Sequence, residues 1–166
     1  MISPELLRRY PFFAGLSHEE IVSMAKVGSA IHVEAGHFFF HENDHLDNFY
    51  LVVEGAVAIV IEVPDQDVEH KLSGQLTGDL QMKDVVISAI GPGEVFGWSA
   101  LVPPHGATTS AKATTPSHVI AFDCRELLQI FEDDCRFGYL MTQKAAQIIR
   151  ERLRAMRIES LAHAVM

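Results

Sequence analysis

The residues best suited to chemistry lie between Gly91 and Ala113, in the segment GPGEVFGWSALVPPHGATTSAKA. The run Gly91-Pro92-Gly93 signals a tight turn, because proline presets φ and glycine accepts positive φ. Gly97 then lets a backbone or a ligand approach closely. The stretch from Trp98 to Val102 is short and mostly apolar, which predicts one helical turn, and hydroxyl-bearing residues follow it.

A helical turn beside hydroxyl groups predicts a pocket for a small oxyanion. The first N–H groups of such a turn lack intrahelical partners, and the helix dipole behind them favours negative charge. The candidate ligand-binding residues are Gly97, Trp98, Ser99, Ala100, Thr108, Thr109 and Ser110. The same segment also fits a connection between two strands that binds nothing, and the residues alone leave both interpretations open.

The composition predicts one soluble domain. The chain has 166 residues, of which 48% are apolar and 21% charged, as in ordinary globular proteins. Its apolar runs are shorter than the ~18 residues that a membrane span requires. The N-terminal residues lack the basic start and apolar core of a secretory signal. We therefore expect a cytoplasmic protein with no membrane partner.

The charge pattern disfavours nucleic acid as the main partner. The net charge is −9, and an acidic body repels DNA and anionic membranes. Four arginines, Arg150, Arg152, Arg154 and Arg157, lie close together near the C-terminus. They can contact nucleic acid, but a solvated face or pairing with the acidic body is the expectation. The two cysteines, Cys124 and Cys135, are expected to be free thiols.

Three regions follow one another along the chain. Residues 1–28 carry two helix starts, a Ser3-Pro4 pair and a capping box formed by Ser17 and Glu20. Residues 29–123 alternate short apolar runs with glycine turns, which predicts an antiparallel barrel or jelly roll. Within them the polar stretch from Pro64 to Asp84 predicts a long exposed hairpin or mobile loop with strand-like ends. Residues 124–166 form the third region.

The third region has helical periodicity, with a short helix near residues 125–131 and a long one near residues 135–163. The long helix carries two apolar stripes. The first consists of Phe137, Met141, Ala145 and Ile148 and can face the barrel. The second consists of Ala146, Ile149, Leu153 and Met156, at coiled-coil spacing. We expect it to bind a second copy of the chain, giving a homodimer, and the alternative is that both stripes pack within one chain.

This order of elements resembles the cyclic nucleotide-binding domain family, which includes the bacterial catabolite activator. The residues that carry the resemblance are Gly36, the run Phe49 to Val57, the run Gly91 to Gly97, and Ala111-Lys112-Ala113. The resemblance implies a single domain of mainly β structure with flanking helices. It would be a double-stranded β-helix or jelly roll with a phosphate-binding cassette at residues 91–113. A long C-terminal helix would follow.

The cassette departs from the family pattern at two positions. The resemblance implies a glutamate that bonds the ribose 2′-hydroxyl and an arginine that pairs with the cyclic phosphate. Here Trp98 stands at the glutamate position and Ala107 at the arginine position. Each charge-assisted bond contributes roughly 1.5–3 kcal/mol, so cyclic AMP binding by the usual contacts is not expected. Trp98 can offer an aromatic face to a planar ligand or can fill the pocket itself.

The expected function is a regulatory, ligand-sensing module rather than an enzyme. It would bind a nucleotide-like or other small anionic ligand, use no cofactor, and signal through the C-terminal helix. The resemblance implies a stand-alone domain without a DNA-reading unit. The alternative is a protein-interaction module with a degenerate pocket. His37, His41 and His45 invite comparison with a metal-binding cupin, but their spacing and the turn at Asn43-Asp44 predict no metal site.

Overall fold

The computed structural model describes residues 1–64 and 82–165. Their helices are α1 (Pro4–Arg8), α2 (His18–Lys26), α3 (Cys124–Asp133) and α4 (Cys135–Val165), with short 3-10 turns at Pro11–Phe13 and Trp98–Leu101. The strands are β1 (Gly28–Val33), β2 (Phe38–Phe40), β3 (Asn48–Glu54), β4 (Val57–Pro64), β5 (Met82–Ile90), β6 (Val95–Phe96), β7 (Ser110–Ala113) and β8 (Ser117–Asp123).

The strands form two four-stranded antiparallel sheets. Their orders are β1-β8-β3-β6 and β2-β7-β4-β5. Strands that are distant in sequence thus become neighbours, as in a roll, and the predicted fold class is confirmed. The predicted strand-like ends around residues 64–84 are confirmed too, because Pro64 of β4 pairs with Met82 of β5. The rest of that predicted hairpin or loop lies outside the described residues.

The core lies between the two sheets and extends under the N-terminal helices. Phe49, Phe96 and Phe122 are almost fully buried in it, and so are Leu7 and Met24 from α1 and α2. Phe49 and Phe122 stack at 4.8 Å between ring centroids. This packing joins the helices to the roll, because apolar area removed from water contributes about 25 cal/mol per Å².

Short sequence motifs determine where several helices begin and where one turn lies. The Ser17 hydroxyl accepts a hydrogen bond from the Glu20 N–H at 3.2 Å and so caps α2 as predicted. Asp134 accepts from the Phe137 N–H at 3.1 Å, where α4 begins after α3. Asn43 has φ +72°, the left-handed conformation expected of its turn. Both cysteines are free thiols, Cys124 buried and Cys135 exposed.

The long helix α4 packs on the domain through the first of its predicted stripes. Phe137, Met141 and Ala145 are buried, and Ile148 is half-buried. Beyond Ile148 the helix lines a cavity on the cassette side of the roll between Ile149 and Glu159, and it continues to Val165. Among the described residues, the helices lack the combination of length and apolarity needed to cross a membrane.

Candidate functional site

Gly97 is the residue around which the cassette turns. Its φ is +78°, a left-handed conformation that L side chains rarely adopt. A Cβ there would lie 3.2 Å from the Asn48 carbonyl oxygen and 3.3 Å from Tyr50. The chain can therefore pass from β6 into the 3-10 turn Trp98–Leu101 only with the backbone pressed against β3.

We expect Gly97→Ala to lower the free energy of unfolding by about 2 kcal/mol, because it combines left-handed strain with a close backbone contact. Gly36→Ala is the matched control. Gly36 has φ +88°, but a Cβ there would meet nothing within 4 Å. Urea unfolding of both variants measures the difference. Equal losses would show that the contact with Asn48 does not constrain the cassette.

A pocket of about 270 Å³ lies between the cassette and α4. Its sheet wall includes Phe40, Leu46, Ile59, Ile87 and Ser88. Its cassette wall consists of Gly97, Trp98, Ser99, Ala107, Thr108 and Thr109. Its helix wall consists of Ile149, Arg152, Leu153, Ala155, Met156 and Glu159. A mostly apolar cavity with a few polar groups is the usual form of a small-molecule site.

Five of the seven predicted ligand-binding residues line this pocket, and two lie elsewhere. Gly97, Trp98, Ser99, Thr108 and Thr109 share its cassette wall. Trp98 is half-buried and forms part of the wall, so the pocket remains beside its ring.

Ala100 and Ser110 are the two that lie elsewhere. The Ala100 N–H donates to the Gly97 carbonyl oxygen at 3.1 Å, so the turn itself uses a donor that we predicted for an anion. The Ser110 hydroxyl is fully buried and donates to Glu62 at 2.9 Å. It also accepts from the Glu42 N–H, so its role here is to join strands.

The basic groups of the cassette, Lys112 and His105, already have partners in the protein. Lys112 donates to Asp84 at 2.9 Å and lies over the Phe38 ring. His105 Nδ1 lies 3.2 Å from the Ser99 carbonyl oxygen, which fixes the loop after the cis peptide bond Pro103-Pro104. Ala107, which the resemblance places at the arginine position, lines the pocket without a charge.

Arg152 of α4 brings a positive charge to the pocket. Its Nη2 donates to the Val95 carbonyl oxygen at 3.1 Å, which joins α4 to β6. Burial lowers the pKa of Arg152 from its usual value, and the nearby Glu94 carboxylate opposes that shift. The charge pattern predicts that this arginine lies on a solvated face or pairs with the acidic body, whereas the structure holds it half-buried against β6. The sequence does contain a signal that Arg152 lies on a packed face of the helix. Four apolar residues are three or four positions from it and so share its face: Ile148, Ile149, Ala155 and Met156.

The three histidines considered as metal ligands have separate surroundings. His41 contacts Glu62 at 2.9 Å, His45 lies 3.4 Å from Asp47, and His37 packs against Phe39. The His41 and Ser110 side chains that bond Glu62 lower the pKa of its carboxyl. Within residues 1–64 and 82–165, no group of three or more His, Cys, Asp or Glu side chains could hold a metal ion.

The family model of the cyclic nucleotide-binding domain matches residues 30–134, more than half of the chain. The chain belongs to the cyclic nucleotide-binding domain family. The match includes both sheets, the cassette and α3. It agrees with the resemblance found in the sequence and identifies the fold as that of a regulatory, cyclic nucleotide-binding family.

Individual members of the family agree in fold. A solved structure from Geobacter metallireducens GS-15, described as a cyclic nucleotide-binding protein, is 29% identical with a TM-score of 0.74. The match covers 92% of this chain and 99% of the Geobacter chain. The catabolite activator protein of Thermus thermophilus is 23% identical, with a TM-score of 0.63 over 93% of this chain and 63% of its own. At that identity the likeness shows the fold alone.

A curated relative is the CRP-like cAMP-activated global transcriptional regulator of Mycobacterium tuberculosis (strain CDC 1551 / Oshkosh). It is 24% identical over 119 residues, which are 72% of this chain and 46% of the regulator. The chain thus spans about half the length of the curated relatives it matches.

Proposed function

We propose that this cyclic nucleotide-binding domain is a regulatory sensor. It binds a nucleotide-like or other small anionic ligand in the pocket between the cassette and α4, and signals through α4. The observation that carries the proposal is the composition of the walls. One wall is the cassette and the opposite wall is the helix. A ligand between them touches both, so its binding energy depends on where α4 lies.

The lining suits a planar ligand with a polar end. Phe40, Leu46 and Ile59 make an apolar wall, and Trp98 adds an aromatic ring on which a base can stack. Thr108 and Thr109 add hydroxyl groups at the cassette. The volume of about 270 Å³ is close to the lower end of the roughly 300–1,000 Å³ range of small-molecule pockets. We therefore propose one nucleotide-sized ligand per chain.

Cyclic AMP is proposed as a probe rather than as the established ligand. The Mycobacterium tuberculosis relative is cAMP-activated by name, and the regulatory domain of Toxoplasma gondii PKA was solved with cAMP. This chain has Trp98 and Ala107 at the positions that resemble the family's glutamate and arginine. Any cyclic AMP binding here must therefore depend on other contacts.

Signalling follows from linkage between the pocket and the helix. A ligand shifts a conformational equilibrium only by its differential affinity for the two states. Here Ile149, Leu153 and Met156 of α4 contact the pocket, so moving the helix changes that affinity. We propose that a bound ligand fixes one position of α4 relative to the roll.

Calorimetric titration with cyclic AMP, cyclic GMP and a cyclic dinucleotide tests this function. We expect saturable heat with at least one of them. Ala155→Phe should abolish it, because Ala155 lines the pocket and a ring there fills the space. Ala162→Phe is the control, since Ala162 is exposed on the same helix and does not line the pocket. Absence of heat with all three nucleotides would contradict nucleotide sensing.

Dimerisation through α4 is a second proposed role. Leu153 is 46% exposed and Met156 57% exposed, and Ala146 of the same stripe is exposed. Coiled-coil spacing favours a second copy of this helix as the partner. Because Ile149, Leu153 and Met156 also line the pocket, pairing of the helices and ligand binding would affect one another.

Sedimentation velocity tests the dimer. We expect the wild-type protein to sediment as a dimer and Ala146→Glu as a monomer, since a charge on an apolar stripe disfavours pairing. Gln147→Glu, one residue off the stripe and also exposed, should remain dimeric. A wild-type protein that stays monomeric at high concentration would exclude this role.

A further inference from the structure

We propose that Arg152 of α4 binds the anionic group of the ligand and takes the place of a cassette cation. This inference rests on the proposed function, and it specifies that ligand binding depends on Arg152 and on a negative charge of the ligand. It assigns anion recognition to the C-terminal helix rather than to the cassette.

The pocket walls carry a positive charge at Arg152. Among the described residues that line the pocket, Arg152 is the only one with a positive charge. The cassette residues that could replace it have other roles. Lys112 pairs with Asp84, His105 contacts the Ser99 carbonyl, and the arginine position of the family is Ala107. An anionic ligand here therefore meets its cation on the opposite wall.

The Arg152 guanidinium is held in place by a hydrogen bond to β6. Arg152 uses Nη2 to bond the Val95 carbonyl oxygen at 3.1 Å, and a guanidinium carries five N–H donors. Arg152 lines this pocket and also a second cavity that includes Glu94 and Val95. The bond to Val95 restricts the orientation of the planar group, and its remaining donors have no partner among the described residues, so they are available to a ligand. A donor group held in place before binding loses less conformational entropy when the ligand arrives. Arginine also suits phosphate better than lysine, because its donors match two oxygens at once.

The charge of Arg152 is partly removed from water. The Arg152 side chain is half-buried between α4 and the roll, and Glu94 influences it electrostatically without forming an ion pair within 4 Å. A partly desolvated cation interacts more strongly with an anion than an exposed cation does. An anionic ligand would thus neutralise a charge that the fold holds away from water.

Glu159 limits how the ligand lies. It lines the same pocket seven residues further along α4, about 10 Å along the helix axis at 1.5 Å per residue. Its carboxylate disfavours a second anion at that end of the pocket. The ligand class is therefore a molecule with its anionic group at Arg152 and a neutral or hydrogen-bond-donating part toward Glu159, as in a nucleoside monophosphate.

The test compares charged and neutral ligands with the same base. Calorimetry gives the Kd of cyclic AMP, adenosine, cyclic GMP and guanosine for the wild type, Arg152→Met, Arg152→Lys and Arg154→Met. Arg154 is exposed on the same helix and does not line the pocket, so it is a matched charge control. Thermal melts monitor folding, and Arg152→Lys retains the charge if the methionine variant is unstable.

We expect Arg152→Met to weaken the binding of the preferred cyclic nucleotide about 10- to 100-fold, as for the loss of charge-assisted hydrogen bonds. The matching nucleoside should change less than about three-fold, Arg152→Lys should fall between, and Arg154→Met should equal the wild type. If the wild type prefers the nucleotide and Arg152→Met keeps that preference, the inference fails while the proposed function stands. If the wild type binds none of the four compounds, both fail.

Discussion

Replacing Phe122 with alanine is expected to lower the free energy of unfolding by about 3–5 kcal/mol, the usual loss for a fully buried phenylalanine. Phe122 of β8 is fully buried. It stacks on Phe49 at 4.8 Å and lies 5.7 Å from the Phe13 ring. The variant removes a ring that joins β3, β8 and the N-terminal segment, and the rigid sheet cannot close the cavity.

Chemical denaturation with a matched control measures this effect. Phe38→Ala removes the same side chain from a half-buried position on β2, where the ring stacks on His41 at the domain surface. We expect it to lose less than half as much stability as Phe122→Ala. Similar losses for the two variants would show that the core is not centred on the pair formed by Phe49 and Phe122.

The second large effect is expected at Arg136, whose Nη1 pairs with Glu20 Oε1. Glu20 of α2 is only 5% exposed, and its other carboxylate oxygen is buried without a partner among the described residues. Arg136→Met would leave this carboxylate buried and unpaired. Breaking a buried pair costs several kcal/mol, and since the Arg136 side chain is 66% exposed we expect about 2 kcal/mol.

A double-mutant cycle separates the contribution of the ion pair between Arg136 and Glu20 to stability from other effects of the substitutions. Adding Glu20→Gln to Arg136→Met should recover part of the loss, because the remaining buried group is then neutral. Arg125→Met is the control, since its ion pair with Asp123 is on the surface and such pairs contribute up to about 1 kcal/mol. If Glu20→Gln gives no recovery, the contact between α2 and the start of α4 is not electrostatic.

Much of the fold could be predicted because its signals are local. The Ser17 N-cap, the left-handed Asn43 and the Asp134 cap each depend on residues within four positions, and the structure contains all three. Only the Ser17 half of the predicted capping box forms, because the Glu20 carboxylate pairs with Arg136 instead. The strands were found from apolar runs and glycine turns. The two-residue strand β6, Val95–Phe96, is too short to give a periodic signal in the sequence, because its strand conformation is defined by pairing with β3.

The pocket could be predicted only on its cassette side. Trp98, Thr108 and Thr109 lie near one another in sequence, so one motif indicates them together. Leu46 and Ile59 come from remote positions, and sheet pairing alone brings them to the same cavity. Sequence spacing carries no information about that pairing until the register of the strands is known.

The α4 side of the pocket could not be predicted from the sequence, for a different reason. The second stripe of α4 was assigned to a dimer because its spacing fits a coiled coil. Ile149, Leu153 and Met156 also face the pocket in the structure, and a helical repeat cannot say which surface a stripe covers. Arg152 was likewise assigned from its charge to solvent or to acidic residues, whereas its bond to Val95 depends on how α4 crosses β6.

The fluorescence emission of Trp98, the single tryptophan of the chain, should report during titration with cyclic AMP and cyclic GMP whether the ligand enters this pocket. Trp98 lines the pocket, so a ligand between the cassette and α4 must change the surroundings of its indole ring. We predict a saturable change whose midpoint equals the calorimetric Kd and which Ala155→Phe abolishes. Saturable heat with no change in Trp98 emission would place the ligand outside this pocket and contradict the account.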